Sequence, residues 1–466
     1  MAGIGFKLVK LASRSGVGGT LAAAIHGAAI SAGPWICMSA AILGLQYWLA
    51  GSIDGRTMLG LQAVLTYAFS LSAVVAAPIV AVATRLVADA LFARAPDRLP
   101  GILFAALATG AGAVTGTGAL LFSLCAALPA VETMLAIAFT GLLTVVWIAT
   151  LFLTAIRDYR RVILAYVAGI AAAAPLAWLT PPGGTMLLPL LAVVAGAVIL
   201  TATLIVSIRA SFPALPVWPA LWWHAFAVHA QVALAGLFAT MAIWVDKWII
   251  WQGQGSVAAS GMLRLNPLYD GASFLGLLSL VVGLTLILVV VETRFDRAFG
   301  RLMAGCTSHA VLARLDVLRA DLVTVLLEGG RVLIVGQAAL ALALWVTAPM
   351  LLEAIGADPR AIIGFRFVVA GAVFHVLALY ATIVLSYYDL NGRALLASAG
   401  FLAVSAVTTL IALPQGFARF GWGYMAGAIF ASIVALAATG LATRDLLYLL
   451  FVGNNPAIRG DDRRWA

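Results

Sequence analysis

The residues able to do chemistry are few, and nearly all of them stand inside apolar sequence. Ionisable groups in hydrocarbon are costly, so each asks for a partner or a water-filled path. Glu328 and Arg331 are three apart, hence on one helical face, with Gly329-Gly330 between them. The spacing permits two roles. One is an intrahelical ion pair bracing a glycine kink; the other is a hydrophilic point on a transport cavity, with Glu328 as a coupling-ion or proton site. Counted from a helix start near residue 322, Arg331 lies about 13 Å deep at 1.5 Å per residue, close to the bilayer centre. Arg366 is another cavity candidate, near enough to a span end to snorkel to the interface. Asp246 and Lys247 close a span where they can pair near the outer surface, and Glu292 ends one at the inner surface. His26, His224, His229 and His375 are scattered singly and read as hydrogen-bonded packing residues. Cys37, Cys125 and Cys306 lack metal-ligand spacing and suggest no disulfide framework.

Several chemistries are missing. There is no G-x-x-x-x-G-K-[ST] phosphate loop, no H-E-x-x-H and no G-x-S-x-G. The acids are dispersed and form no pair with one intervening residue, as a metal-assisted glycosyltransferase would need. The residues therefore call for no catalysis, no metal and no cofactor. Tryptophans such as Trp35, Trp147, Trp178, Trp244, Trp248, Trp251 and Trp345 mostly lie near span ends, where an interfacial belt explains them. Sugar rings also stack on aromatics, and the sequence does not sort the two sets.

The elements that must position these residues are transmembrane helices. The chain is 64% hydrophobic and 10% charged, with a mean hydropathy of +1.09, too apolar for any soluble domain. Continuous apolar runs exclude a β-barrel. Runs long enough to cross about 30 Å of hydrocarbon recur near 20–49, 57–84, 101–128, 131–155, 162–179 and 184–206. Six more fall near 222–246, 273–292, 322–347, 361–386, 393–413 and 422–443. Between the sets lies 207–221, with Pro213, Pro216 and Pro219, which a helix cannot cross. The expected organisation is an amphipathic basic segment (1–19), a six-span lobe (20–206), a cytosolic linker (207–221), a second six-span lobe (222–443) and a cytosolic tail (444–466).

With the N-terminus in the cytosol, twenty Lys and Arg residues fall in cytosolic segments and five outside, a firm positive-inside bias. The net charge of +9 is thus a topology device and an attraction to anionic lipid, with no nucleic-acid partner implied. The basic stretch from Arg294 through Arg297 and Arg301 has helical amphipathic spacing and is expected to lie along the inner surface. Thr84-Arg85-Leu86-Val87-Ala88-Asp89 compares with Thr293-Arg294-Phe295-Asp296, each at the inner end of the second span of its lobe. That points to a parallel internal repeat or to chance likeness between two basic loops.

Several islands go further. Met1-Ala2-Gly3-Ile4-Gly5-Phe6 and Ile30-Ser31-Ala32-Gly33-Pro34-Trp35 open the set. Thr84-Arg85-Leu86-Val87-Ala88-Asp89, Val245-Asp246-Lys247-Trp248 and Pro267-Leu268-Tyr269-Asp270 follow, then Val291-Glu292-Thr293-Arg294-Phe295 and Leu385-Ser386-Tyr387-Tyr388-Asp389-Leu390. In this order they resemble the PelG family, the inner-membrane component of Pel exopolysaccharide export. The chain departs from the pattern at Lys7 and Asn391.

The resemblance implies a multidrug/oligosaccharidyl-lipid/polysaccharide flippase fold: all-α, twelve spans, two six-helix lobes around a central cavity. It implies a bacterial inner-membrane protein, and the positive-inside bias with an even number of spans puts both termini in the cytosol. Its cargo would be a nascent N-acetylhexosamine-rich polymer handed over by a cytosolic glycosyltransferase. Inner-membrane scaffold proteins, one a cyclic-di-GMP receptor, would be partners. Cavity candidates are then Glu328, Arg331, Arg366, Asp246, Tyr387 and Asp389; docking or gating candidates are Arg85, Asp89, Glu292, Arg294, Arg297 and Arg301. A neutral cargo calls for aromatic and hydrogen-bonding walls with little net charge. An ion-coupled flippase or antiporter for lipid-linked sugars or small cations stays open, as do a membrane glycosyltransferase and a structural scaffold.

Overall fold

Inside hydrocarbon a backbone satisfies its N–H and C=O groups only in helices or closed barrels, so runs this apolar must be helical. The computed structural model describes residues 43–155 and 158–453; among them eleven helices are long and apolar enough to cross a membrane. The expected amphipathic segment over 1–19, most of the first span and the tail beyond 453 lie outside the described residues.

The N-terminal lobe comprises α1 (Gly55–Phe92), α2 (Leu99–Cys125), α3 (Ala130–Ala155), α4 (Tyr159–Trp178) and α5 (Leu187–Ser211). Here α3 packs on α1, α2 and α5, and α5 on α4. A short α6 (Trp222–Val228) precedes α7 (Ala230–Ile250). An antiparallel hairpin, β1 (Val257–Ser260) and β2 (Leu263–Leu265), then leads into α8 (Asp270–Leu278) and α9 (Leu280–Val290). A π turn over Val291–Phe295 joins α9 to α10 (Asp296–Thr307). The chain continues through α11 (Leu312–Ala354), α12 (Ala361–Tyr387), α13 (Asn391–Ala412) and α14 (Trp422–Arg444). In this C-terminal lobe α12 is central, packed on α8, α9, α11 and α14, while α13 bridges α14 and α7.

Three features differ from the sequence reading. The proline-rich stretch is not where the chain passes between lobes. It is pinned to the N-terminal lobe: Arg209 donates to Ala214 O at 2.6 Å, and Trp218 meets Phe104 edge-on at 5.9 Å. Trp222 holds α6 to the same lobe by donating to Thr109 Oγ1 of α2 at 2.9 Å. The change of lobe comes at His229, the break between α6 and α7, so the seventh span starts at Ala230 instead of residue 222.

The second span of each lobe also outruns its hydrocarbon length, as 38-residue helical stretches over Gly55–Phe92 and Asp270–Thr307. The basic helix from Arg294 is therefore no separate surface element. The π turn carries it directly out of the span, and it folds onto α11, where Phe295, Ala298 and Leu302 are buried in one cluster with Leu315 and Leu322.

Finally, α11 starts at Leu312, ten residues earlier than expected, and runs unbroken through Gly329-Gly330. Gly329 permits close packing, not a kink: a Cβ there would come within 2.6 Å of Val290 and 2.7 Å of the Tyr380 hydroxyl. The stretch of α11 without charge is 332–352, 21 residues or about 31 Å, a full hydrocarbon thickness. Glu328 and Arg331 thus stand at its edge, on the face of the molecule that carries the basic loops, and not at the bilayer centre.

Candidate functional site

The lobes meet along a seam built mainly by α1 and α7. On the face opposite the basic loops, the hairpin closes it. The Tyr67 hydroxyl of α1 donates to Arg264 O at 3.1 Å and accepts from Arg264 N at 3.3 Å, and its ring lies 4.5 Å from Trp251. At the tip, Met262 N donates to Cys125 O at 2.7 Å and the Ser260 hydroxyl to Ala127 O at 3.2 Å. Gly261 makes this docking possible: its φ is +57°, and a Cβ would sit 2.6 Å from Cys125 O.

Deeper in the seam three aromatic rings from both lobes converge. Phe69 of α1 packs edge-on against Trp147 of α3 at 5.3 Å and lies tilted to Trp244 of α7 at 6.1 Å. Trp147 Nε1 donates to Ser72 Oγ at 3.2 Å. All three rings are half-buried. Such rings offer an apolar face to the C–H side of a sugar while leaving its hydroxyls free to hydrogen-bond.

On the basic face, among the described residues, one ion pair spans the lobes. Arg85 Nη2 of α1 meets Asp389 Oδ1, in the turn between α12 and α13, at 2.8 Å. Asp389 has φ +56°, in the left-handed region that Asp and Asn tolerate best, and accepts a second bond from Asn391 Nδ2 at 2.8 Å. Arg85 and Asp389, predicted separately for gating and cavity, are thus brought together. Among the described residues, the lobes thus touch at both ends of the seam.

The remaining predicted residues lie elsewhere. Asp246 is fully buried: it pairs with Lys247 Nζ at 3.2 Å, accepts from Lys247 N at 2.8 Å and accepts a short hydrogen bond from the Tyr269 hydroxyl. It therefore lines no open path. Glu328 pairs with Arg294 at 3.2 Å across the π turn, not with Arg331, which has no ion pair among the described residues. Arg301 pairs with Asp321, while Arg294, Arg297 and Arg301 line a cavity of about 320 Å³ with Thr293 and Val325. Glu292 is half-buried in the π turn, and Asp89 is exposed on the last turns of α1. Tyr387 packs edge-on between Phe295 at 5.0 Å and Phe299 at 5.6 Å.

Arg366 does not simply snorkel. Pro349 has no N–H, so the Trp345 carbonyl four residues back loses its helical donor. Arg366 Nε supplies one at 3.1 Å, and the guanidinium lies 5.4 Å from the Trp345 ring. His375, as read from the sequence, is a buried packing residue, its Nδ1 2.8 Å from the Tyr424 hydroxyl. Of the seam rings, Trp147 and Trp244 stood in the ambiguous tryptophan set, whereas Phe69 carried no signal among 21 phenylalanines.

Two lobes of apolar helices meeting on a central seam make up the fold of the MOP superfamily. The chain is similar to a MOP superfamily transporter from Pyrococcus furiosus Vc1 at 13% identity, covering 95% of this chain and 97% of that one with a TM-score of 0.66. It is similar to a MATE in the bent conformation at 14% identity, with 96% and 97% covered and a TM-score of 0.66. An outward-facing multidrug resistance MATE family transporter gives 13% identity, 92% and 96% covered and a TM-score of 0.62. No curated protein matches. The family model PelG, described as “Putative exopolysaccharide Exporter (EPS-E)”, matches residues 1–451, and the chain belongs to this family. It is a multi-pass membrane transporter and not an enzyme.

Proposed function

We propose that the protein moves a nascent, largely uncharged N-acetylhexosamine-rich exopolysaccharide from cytosol to periplasm through the seam between its lobes. The observation that carries this reading is the convergence of Phe69, Trp147 and Trp244 from both lobes, with hydrogen-bonding groups beside them. A cationic drug or a charged polymer would call for matching fixed charge there. Among the described residues the nearby pair, Asp246 with Lys247, is buried and self-compensated.

The positive-inside bias supports placing the basic face in the cytosol of a bacterial inner-membrane protein. Arg85–Asp389 is then the cytosolic closure. The α10–α11 surface around Arg294, Arg297 and Arg301 is the docking face for a cytosolic glycosyltransferase. Inner-membrane scaffold proteins, including a cyclic-di-GMP receptor, would complete the assembly.

The test is complementation of a Pel-producing host lacking its exporter. Wild type should restore extracellular hexosamine polymer. Trp244→Ala should cut it at least severalfold at unchanged membrane level and glycosyltransferase retention. Full secretion by Trp244→Ala together with Trp147→Ala would refute the seam as the cargo path.

A further inference from the structure

We propose that Asp270 binds an exchangeable proton, and that its charge sets how firmly the seam closes on the hairpin face. Asp246, Lys247 and Asp270 form one buried cluster at the ends of α7 and α8. Asp246 is matched by the Lys247 ammonium and the Tyr269 hydroxyl. Lys247 is fully engaged: it also donates to Ile243 O at 2.9 Å and lies 5.9 Å and 5.7 Å from the Trp244 and Tyr269 rings. Among the described residues Asp270 has no cation of its own. Its oxygens accept from Trp251 Nε1 at 2.9 and 3.1 Å and from Asn266 N at 2.8 Å, all neutral donors. Two carboxylates therefore share one ammonium. A proton is the ligand that removes the surplus charge, and Asp270, the one of the two whose residue is not fully buried, is where it binds.

The other groups around Asp270 do not compensate it. Tyr67 faces it from α1, Tyr269 precedes it, and Tyr424 of α14 adjoins Asp246 and Tyr269. Arg264 directs its guanidinium to Ser256 O at 3.4 Å. Arg366 of α12 is engaged with Trp345, and His375 with Tyr424.

The bonds to Asp270 run to the parts of this lobe that reach across the seam. Trp251 presses on Tyr67, and Asn266 directly follows β2, whose Arg264 exchanges hydrogen bonds with Tyr67. Bonds to an ionised carboxylate are stronger than bonds to a neutral acid, and protonation turns one acceptor oxygen into a donor. Closure is thus firmest with Asp270 charged and loosens as pH falls.

Two other carboxylates of this face stay ionised between pH 5 and 9. The Thr57 N–H bond holds Asp54 below the usual carboxylate range, and Arg360 holds Asp358 down at about 2. Glu132, at the start of α3, and Glu353, in the last turn of α11, are the others among the described residues, and Glu132→Gln and Glu353→Gln chains control for them directly.

The proposal rests on the exporter reading only for its use in transport, and the test reads closure itself. Spin labels go at exposed Val257 on β1 and Leu124 on α2, in the full chain with Cys37, Cys125 and Cys306 changed to serine, in lipid nanodiscs. From pH 9 to pH 5 the open-to-closed ratio should rise about tenfold, the size of trading charged for neutral hydrogen bonds. Asp270→Asn should hold the low-pH distribution throughout, and Glu132→Gln and Glu353→Gln should follow wild type. Trp251→Phe keeps a ring on Tyr67 but loses the donor, so it should raise the open fraction at pH 9 and shrink the response. A wild-type distance that ignores pH, Asp270→Asn titrating like wild type, or Trp251→Phe with an undiminished response would each overturn the proposal. Failed complementation beside an intact titration would instead sink the exporter reading alone.

Discussion

Breaking the Arg85–Asp389 pair should shift the lobes toward opening on the basic face, by a modest and calculable amount. The two side chains are 36% and 63% exposed, so water screens them. Exposed pairs contribute about 0.2–1 kcal/mol, and about 0.5 kcal/mol corresponds to roughly a twofold change in the open-to-closed ratio. A double-mutant cycle isolates this from side effects. Arg85→Ala removes the cation. Asp389→Asn removes the anion while tolerating φ +56° and keeping an acceptor for Asn391. Spin labels at exposed Ala88 on α1 and Leu396 on α13 would report the opening. The expected coupling is about 0.5 kcal/mol at low salt, falling toward zero near 1 M, where the screening length is about 3 Å. A coupling of zero at low salt, or one indifferent to salt, would refute the pair as a closure.

Other variants test separate parts of the account. Gly261→Val places a β-branched residue at φ +57° with its Cβ against Cys125 O; it should cost about 2 kcal/mol or more and open the hairpin face, read by the same Val257–Leu124 labels. Lys247→Met leaves Asp246 buried without its cation and should destabilise by about 3–5 kcal/mol in thermal unfolding. Adding Asp246→Asn should recover most of that loss. Arg366→Leu strands the Trp345 carbonyl and should cost about 1–3 kcal/mol, whereas adding Pro349→Ala restores a backbone donor and should rescue it. No rescue would mean that Arg366 acts through something other than that carbonyl.

The spans and the polarity of the loops were legible in the sequence because hydrocarbon imposes them residue by residue. Apolar runs must be helical, and the arginines marking their ends are counted one at a time. The helix through Gly329-Gly330 shows where this logic fails. Glycine pairs kink some helices and admit close neighbours in others, and only the position of Tyr380, 50 residues on, decides between the two. Glu328 had Arg331 as its obvious local partner, yet the π turn brings Arg294 to it instead. Arg85 and Asp389 both stood out, but nothing local predicts a bond between residues 304 apart. The seam rings were the least legible, since a tryptophan in an interfacial belt and one at a binding surface have the same sequence context. The Trp345 carbonyl and Arg366 could in principle have been matched, because a proline names the orphaned acceptor four residues before it.

The central claim is that cargo crosses as the seam opens and closes, so the most direct measurement is to lock it. Arg85→Cys and Asp389→Cys place two thiols where the ion pair now stands, in a chain otherwise free of cysteine. In polymer-secreting cells, bridging them with a short, reducible thiol cross-linker should stop secretion, and reduction should restore it, with each single-cysteine chain unaffected. Secretion that continues at full rate with the pair cross-linked would contradict the account.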